Sequence, residues 1–145
     1  MKAEIISVGT ELLLGHTVNT DAAYVARELS ALGIDLLFSC TVGDNPARLR
    51  EALQTAFARS DLVITTGGLG PTGDDLTKET VAQAAGVELV RDPPARRGLR
   101  NIFGGVSAAP ANISRPIFPA AAPSCKMMPA RPLAACLSPG RGCWC

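Results

Sequence analysis

The sequence predicts an α/β fold: a mostly parallel β-sheet covered on both faces by helices. Three observations carry the prediction. Short apolar runs alternate with apolar stripes at helical spacing from the start of the chain to about residue 90. The stripes are bounded by capping and turn residues, and the turns after the first and third strands are the richest in glycine and polar side chains. Strands joined through helices pair in parallel, because right-handed crossovers return each strand in the same direction.

Ile5, Ile6 and Val8 read as the first strand, which stops at Gly9 and gives way to a turn over 9–15. Asn19 or Thr20 caps the helix that follows. Val25, Leu29 and Leu32 recur at i, i+4 and i+7, and Gly33 suits the left-handed residue beyond the helix end. Residues 34–39 form the second strand. Asn45-Pro46 is a cap followed by proline at the first helical position, and Leu49, Leu53 and Phe57 continue as an apolar stripe. Leu62, Val63 and Ile64 form the third strand and run into the turn 65–75. A third helix from about Leu76 ends at Gly86, and residues 87–90 form a short fourth strand. In open sheets of this kind ligands bind beyond the carboxyl ends of the strands, where strand order reverses. The turns after the first and third strands are therefore the candidate site.

Composition bounds the rest. The chain carries 14 basic and 13 acidic residues, a net charge of +1, but that near-neutrality is a cancellation. All 13 acidic residues lie at or before Asp92 with seven of the basic ones, a net of −6, whereas residues 93–145 hold seven basic residues and no acid, a net of +7. With acids at about 12% of ordinary sequence, an acid-free run of that length arises about once in a thousand. Nine of the 11 prolines and four of the 5 cysteines fall in the same stretch, so the chain consists of two unlike pieces. No apolar run approaches the roughly 18–20 residues of a membrane-spanning helix, and the start lacks the apolar core of a signal peptide. A cytoplasmic protein is expected, with reduced cysteines, no disulfide framework and no membrane partner. Cys136, Cys143 and Cys145 match no established zinc spacing. The dispersed basic residues lack the clustering and interleaved aromatics of a nucleic-acid surface, so no nucleic-acid partner is expected.

Gly67, Gly68, Gly70 and Gly73 let the backbone approach a ligand closely and present N–H groups beside a helix start, the makings of an anion site. Asp74 and Asp75 at that start either cap the helix and complement its dipole, or hold a divalent cation that screens phosphates. Residues 68–73 formally fit the dinucleotide-binding glycine pattern. Three features count against it: the stretch follows the third strand, contains Pro71, and is succeeded by two acids where phosphates would sit. Residues 9–15 have the wrong spacing for a P-loop and continue to His16 in place of lysine, and His16 reads as an exposed turn residue. Glu11 and Asn19 either face a ligand or do ordinary turn and cap chemistry. Asp44 divides equally between a solvated turn residue and a site residue.

Four motifs in order, residues 8–15 (Val-Gly-Thr-Glu-Leu-Leu-Leu-Gly), Asn19-Thr20, Val42-Gly43-Asp44 and residues 65–77 (Thr-Thr-Gly-Gly-Leu-Gly-Pro-Thr-Gly-Asp-Asp-Leu-Thr), closely resemble the N-terminal domain of the competence/damage-inducible CinA family. That domain is similar to the molybdopterin-binding fold of MogA and MoaB. The resemblance implies a three-layer α/β/α domain with a mostly parallel sheet, incomplete here at its C-terminus. Its glycine turn would bind a pterin or nucleotide phosphate. By position, Gly67, Gly68, Gly70, Thr72 and Gly73, with Glu11 nearby, would hold a molybdopterin-type or nucleotide ligand. Asp74 and Asp75 would bind a divalent cation, magnesium or similar, or orient a water, and would be the catalytic residues. The chemistry implied for this branch is metal-dependent hydrolysis of ADP-ribose at its pyrophosphate; in the molybdenum-cofactor branch an aspartate of this region supports adenylyl transfer. The family's nicotinamide-nucleotide amidase activity belongs to a separate C-terminal domain and is not expected here. Self-association is open for a full-length parent.

The family pattern should continue with a helix, a Lys-Gln-Ala stretch and a Gly-Thr-Ala-Pro-Gly motif. Leu99, Ile102 and Phe103 are spaced for the helix, but the two motifs are absent as written. They return when each codon is read from its third base into the next two. Met127-Met128 then forces Asp and Met128-Pro129 forces Ala, after which residues 129–134 permit Gly-Thr-Ala-Pro-Gly, while residues 113–119 permit Lys-Gln-Ala-Tyr-Phe-Pro. The expected organisation is thus a domain over 1–113 and an out-of-frame, disordered tail over 114–145. Three functions stay open at this point: a metal-dependent hydrolase, a non-catalytic pterin- or nucleotide-binding module, and an inactive truncated product.

Overall fold

The computed structural model describes residues 1–69, 76–87 and 89 in full, and the backbone of 90–91, 117–119 and 134–137. The chain opens with strand β1 (Lys2–Val8), a single helical turn α1 (Thr10–Leu13) and helix α2 (Thr20–Ala31). It continues with β2 (Asp35–Val42), α3 (Pro46–Arg59), β3 (Leu62–Thr66), α4 (Thr77–Ala85) and β4 (Leu89–Arg91), followed by β5 (Ile117–Pro119) and β6 (Ala134–Leu137). The caps follow the sequence. The Asn19 carboxamide oxygen accepts from the Ala22 N–H, and that of Asn45 accepts from both Ala47 and Arg48, with Pro46 at the start of α3. Gly33 and Gly86 take left-handed φ values of 70° and 66° beyond the ends of α2 and α4.

The main sheet has the order β2-β1-β3-β6. β1 pairs in parallel with β2 and with β3, so the chain crosses from one side of β1 to the other between β2 and β3. Alternate residues of β1 feed two separate cores. Ala3 and Ile5 pack with Leu62, Ile64 and α2 through Leu29. Ile6 and Val8 pack with Val63, with Leu49, Leu53 and Ala56 of α3, and with Val81 of α4. One helix on one face and two on the other make the three-layer α/β/α arrangement that the sequence implies.

β2 runs to Val42, three residues beyond the expected end at Ser39, because its parallel register with β1 continues to the Val8–Val42 pair. A β-bulge interrupts that register: Ala3 pairs with Leu36 but Glu4 pairs with Phe38, leaving Leu37 without a partner. The extra residue reverses which face the even-numbered positions occupy. Leu36 therefore joins the α2-side core, whereas Cys40 and Val42 join the α3-side core.

Two elements depart from the expected order. β4 does not extend the parallel sheet; it pairs antiparallel with β5 in a separate two-stranded sheet. β6 lies antiparallel on β3. Both β5 and β6 fall inside 114–145, the stretch expected to be a disordered tail, and the rest of that stretch lies outside the described residues. The physical reason is that a free sheet edge offers backbone N–H and C=O groups to an extended segment, and residues 134–137 add to β3 there.

Candidate ligand site at the carboxyl edge of the sheet

Three turns converge where β1, β2 and β3 end. Gly9 N–H donates to the Val42 carbonyl (2.9 Å), tying the first turn to the end of β2. Thr10 and Asp44 then exchange hydrogen bonds: the Thr10 N–H donates to Asp44 Oδ2 at 2.9 Å, and the Asp44 N–H donates to Thr10 Oγ1 at 3.1 Å. The ambiguity at Asp44 is resolved in part, since its carboxylate latches two turns together. Glu11 is exposed, in the first turn of α1, with its carboxylate folded back beside Gly9. His16 is exposed, as expected.

The glycine turn is pressed against this edge. Gly67 and Gly68 take left-handed φ values of 83° and 61°. A Cβ on Gly67 would overlap the Val8 carbonyl oxygen, and one on Gly68 would overlap Thr77 Oγ1. The ends of β1 and β3 and the start of α4 thus meet within van der Waals contact, at the crossover point where such sheets bind ligands. α4 begins on Leu76, which supplies no side-chain cap. Thr77, 1% exposed, has its hydroxyl buried with no hydrogen-bond partner among the described residues. A hydroxyl so placed costs about 1–3 kcal/mol unless something supplies a partner. The sequence reading missed Thr77; its signal was its place in the motif, directly after Leu76 where the helix starts.

The structure sets Gly67 and Gly68 against Val8 and Thr77, and Glu11 beside Gly9, the residue after Val8. Gly70, Thr72, Gly73, Asp74 and Asp75 lie outside the described residues. Among the described residues no group of three or more His, Cys, Asp or Glu side chains is placed to share a metal ion. Cys40 is no candidate nucleophile: burial first, then the nearby Glu4 charge, push its thiol pKa up, which keeps it protonated at neutral pH.

Behind the site a buried carboxylate holds α3 to β1. Glu4, 1% exposed, accepts from Arg59 Nη2 at 2.7 Å and Nε at 2.9 Å, and from Ser60 Oγ at 3.2 Å. Arg59 also lies over the Phe38 ring, 3.6 Å from its centroid. The bulge that turns β2 after Leu36 is thus coupled, through Arg59 and Phe38, to the buried Glu4 carboxylate.

A family model described as "Probable molybdopterin binding domain" matches residues 4–137. The chain belongs to the molybdopterin-binding domain family. Within the family it is similar to a CinA-like protein of Desulfovibrio desulfuricans, 64% identical over 104 residues, which are 72% of this chain and 24% of that protein. The chain therefore spans about a quarter of that relative's length. Among solved structures, the protein CinA with unknown function from Thermoplasma acidophilum superposes with a TM-score of 0.81 at 31% identity, covering 99% of this chain and 85% of that one. The molybdopterin biosynthesis Mog protein from Mycobacterium ulcerans follows at a TM-score of 0.55 and 29% identity, over 79% of this chain and 72% of that one. These superpositions agree with the α/β fold described above. Among the described residues no helix is long and apolar enough to cross a membrane.

Proposed function

We propose that this domain binds the phosphate end of a pterin or nucleotide at the Gly67-Gly68 turn and the start of α4, and that its parent hydrolyses a pyrophosphate bond such as that of ADP-ribose. The observation that carries the reading is the Thr77 hydroxyl: buried, without a partner among the described residues, and lodged where a side chain at Gly68 would otherwise sit. A phosphate oxygen would accept from that hydroxyl at the start of α4, where the helix dipole favours negative charge, while the Thr77 N–H stays bonded to the Gly68 carbonyl. The turn and its orphaned hydroxyl fit such a ligand. Asp74 and Asp75 carry hard oxygen donors, the type a divalent cation prefers. A cation held there would screen the pyrophosphate charge and lower the pKa of a coordinated water. Gly67 and Gly68 would hold the phosphate by backbone contact, and Thr77 would fix its orientation through one oxygen.

The expected outcome is release of AMP and ribose phosphate from ADP-ribose with magnesium by a frame-restored chain, lost by at least about a hundredfold in Asp74→Asn or Asp75→Asn. Thr77→Val should weaken ligand binding measured by calorimetry by about tenfold. Unchanged turnover in both aspartate variants would remove the catalytic assignment; ligand binding without turnover in the unmodified domain would make it a binding module.

We also infer that the reading frame is lost near Ile113. The acid-free stretch, the proline and cysteine enrichment, and the forced Asp-Ala in register with the two restored motifs support it. The coding DNA should spell those motifs in the offset frame without an early stop, and a stop within codons 113–145 of that frame would defeat the inference.

A further inference from the structure

The geometry points to Asn19 as the residue that sets the position of the glycine turn, in addition to capping α2; the functional sense of this rests on the ligand reading above. Asn19 uses both ends of its carboxamide. Oδ1 accepts from the Ala22 N–H at 3.0 Å, the ordinary cap bond, which any of Ser, Thr or Asp could also accept. Because that N–H can only donate, it fixes the carboxamide orientation and leaves Nδ2 facing inward. Nδ2 donates to Ser7 Oγ at 2.8 Å, a bond that capping does not require.

Ser7 is fully buried, and its Oγ also accepts from Thr66 Oγ1 at 3.2 Å. Ser7 and Thr66 are direct partners in the β1–β3 register, and Thr66 is the residue before Gly67. A continuous line of polar contacts therefore runs from the α2 cap, through β1, to the last residue of β3. Gly67 has no slack to absorb a change, since it holds a left-handed φ against the Val8 carbonyl. Reorienting Thr66 must move the turn that follows. Asn19 is thus a positioning residue that acts through Ser7 and Thr66 and touches no ligand itself.

The test uses two variants of the full chain that divide the roles of Asn19. Asn19→Ser keeps an acceptor for the Ala22 N–H but is too short to reach Ser7, whereas an aspartate would let the Ser7 hydroxyl turn and donate to it. Ser7→Ala leaves the cap untouched and removes the relay. Both should leave the α2 amides as protected as in the unaltered chain. Both should also raise the hydrogen-exchange rates of the Gly67 and Gly68 amides by about tenfold and weaken inorganic pyrophosphate binding by a similar factor. A purely capping role would move the α2 amides and spare the glycines. Unchanged glycine exchange in both variants overturns the inference, whatever the ligand does. Faster glycine exchange in a protein that in its unaltered form binds no pyrophosphate supports the positioning network and instead overturns the ligand reading.

Discussion

Gly67→Ala is expected to lower the unfolding free energy by about 3 kcal/mol, well beyond the loss at a left-handed glycine with open space around it. Two costs combine: a non-glycine residue in the left-handed region costs about 1–2 kcal/mol, and forcing an atom into a filled space costs about 1–3 kcal/mol. The atom it meets is the Val8 backbone carbonyl oxygen, next to a ladder that pairs β1 with both β2 and β3, so the obstacle cannot rotate away. Gly33 provides the control. Its φ of 70° is similarly left-handed, but a Cβ there meets nothing within 4 Å. Gly33→Ala should therefore cost only about 1 kcal/mol. Urea midpoints of the two variants measure the difference, and equal losses would mean that the close approach of Gly67 to Val8 is absent in solution.

Leu53→Ala should destabilise by about 3–4 kcal/mol. Leu53 is fully buried among Ile6, Val8, Val63 and Val81, where β1, β3, α3 and α4 all meet, so the vacated volume has rigid walls on every side. Leu37, 52% exposed and left unpaired at the bulge, offers the contrast: Leu37→Ala should change stability by less than about 1 kcal/mol. Similar losses at both positions in thermal or urea unfolding would contradict the division of the sheet into two packed faces.

The first 90 residues were legible because local chemistry and global fold agree there. Asn19, Asn45-Pro46, Gly33 and Gly86 mark the helix ends by the groups they offer to exposed backbone donors and by the φ they tolerate, and the helices form where those signals stand. The β2 bulge was not legible. Asp-Leu-Leu-Phe-Ser-Cys-Thr-Val contains no glycine or proline to announce an extra residue, and only pairing with β1 shows that Leu37 has no partner. Glu4 was equally opaque. A charged residue in an apolar strand has no local cue to its partner, and Arg59 lies 55 residues away. Regular alternation also misplaced β4, because alternation describes which strands exist and does not say which edge each one joins.

At the candidate site the same division holds. The sequence supplied the glycine turn, because only glycine lets a backbone approach so closely; Asp74 and Asp75, proposed from residue type and position, lie outside the described residues. It did not supply the orphaned Thr77 hydroxyl, the Thr10–Asp44 exchange or the Asn19–Ser7–Thr66 line. Each of these joins side chains from separate turns, and contact between distant segments is a property of the packed sheet. What the sequence by itself determined is the run of strands and helices, their caps and the glycines at the turn, since these follow from short-range backbone sterics and hydrogen-bonding needs. Only the tertiary structure decided which faces the side chains of β2 occupy, which polar groups find partners and which do not. Those outcomes depend on register and on groups brought together from across the chain.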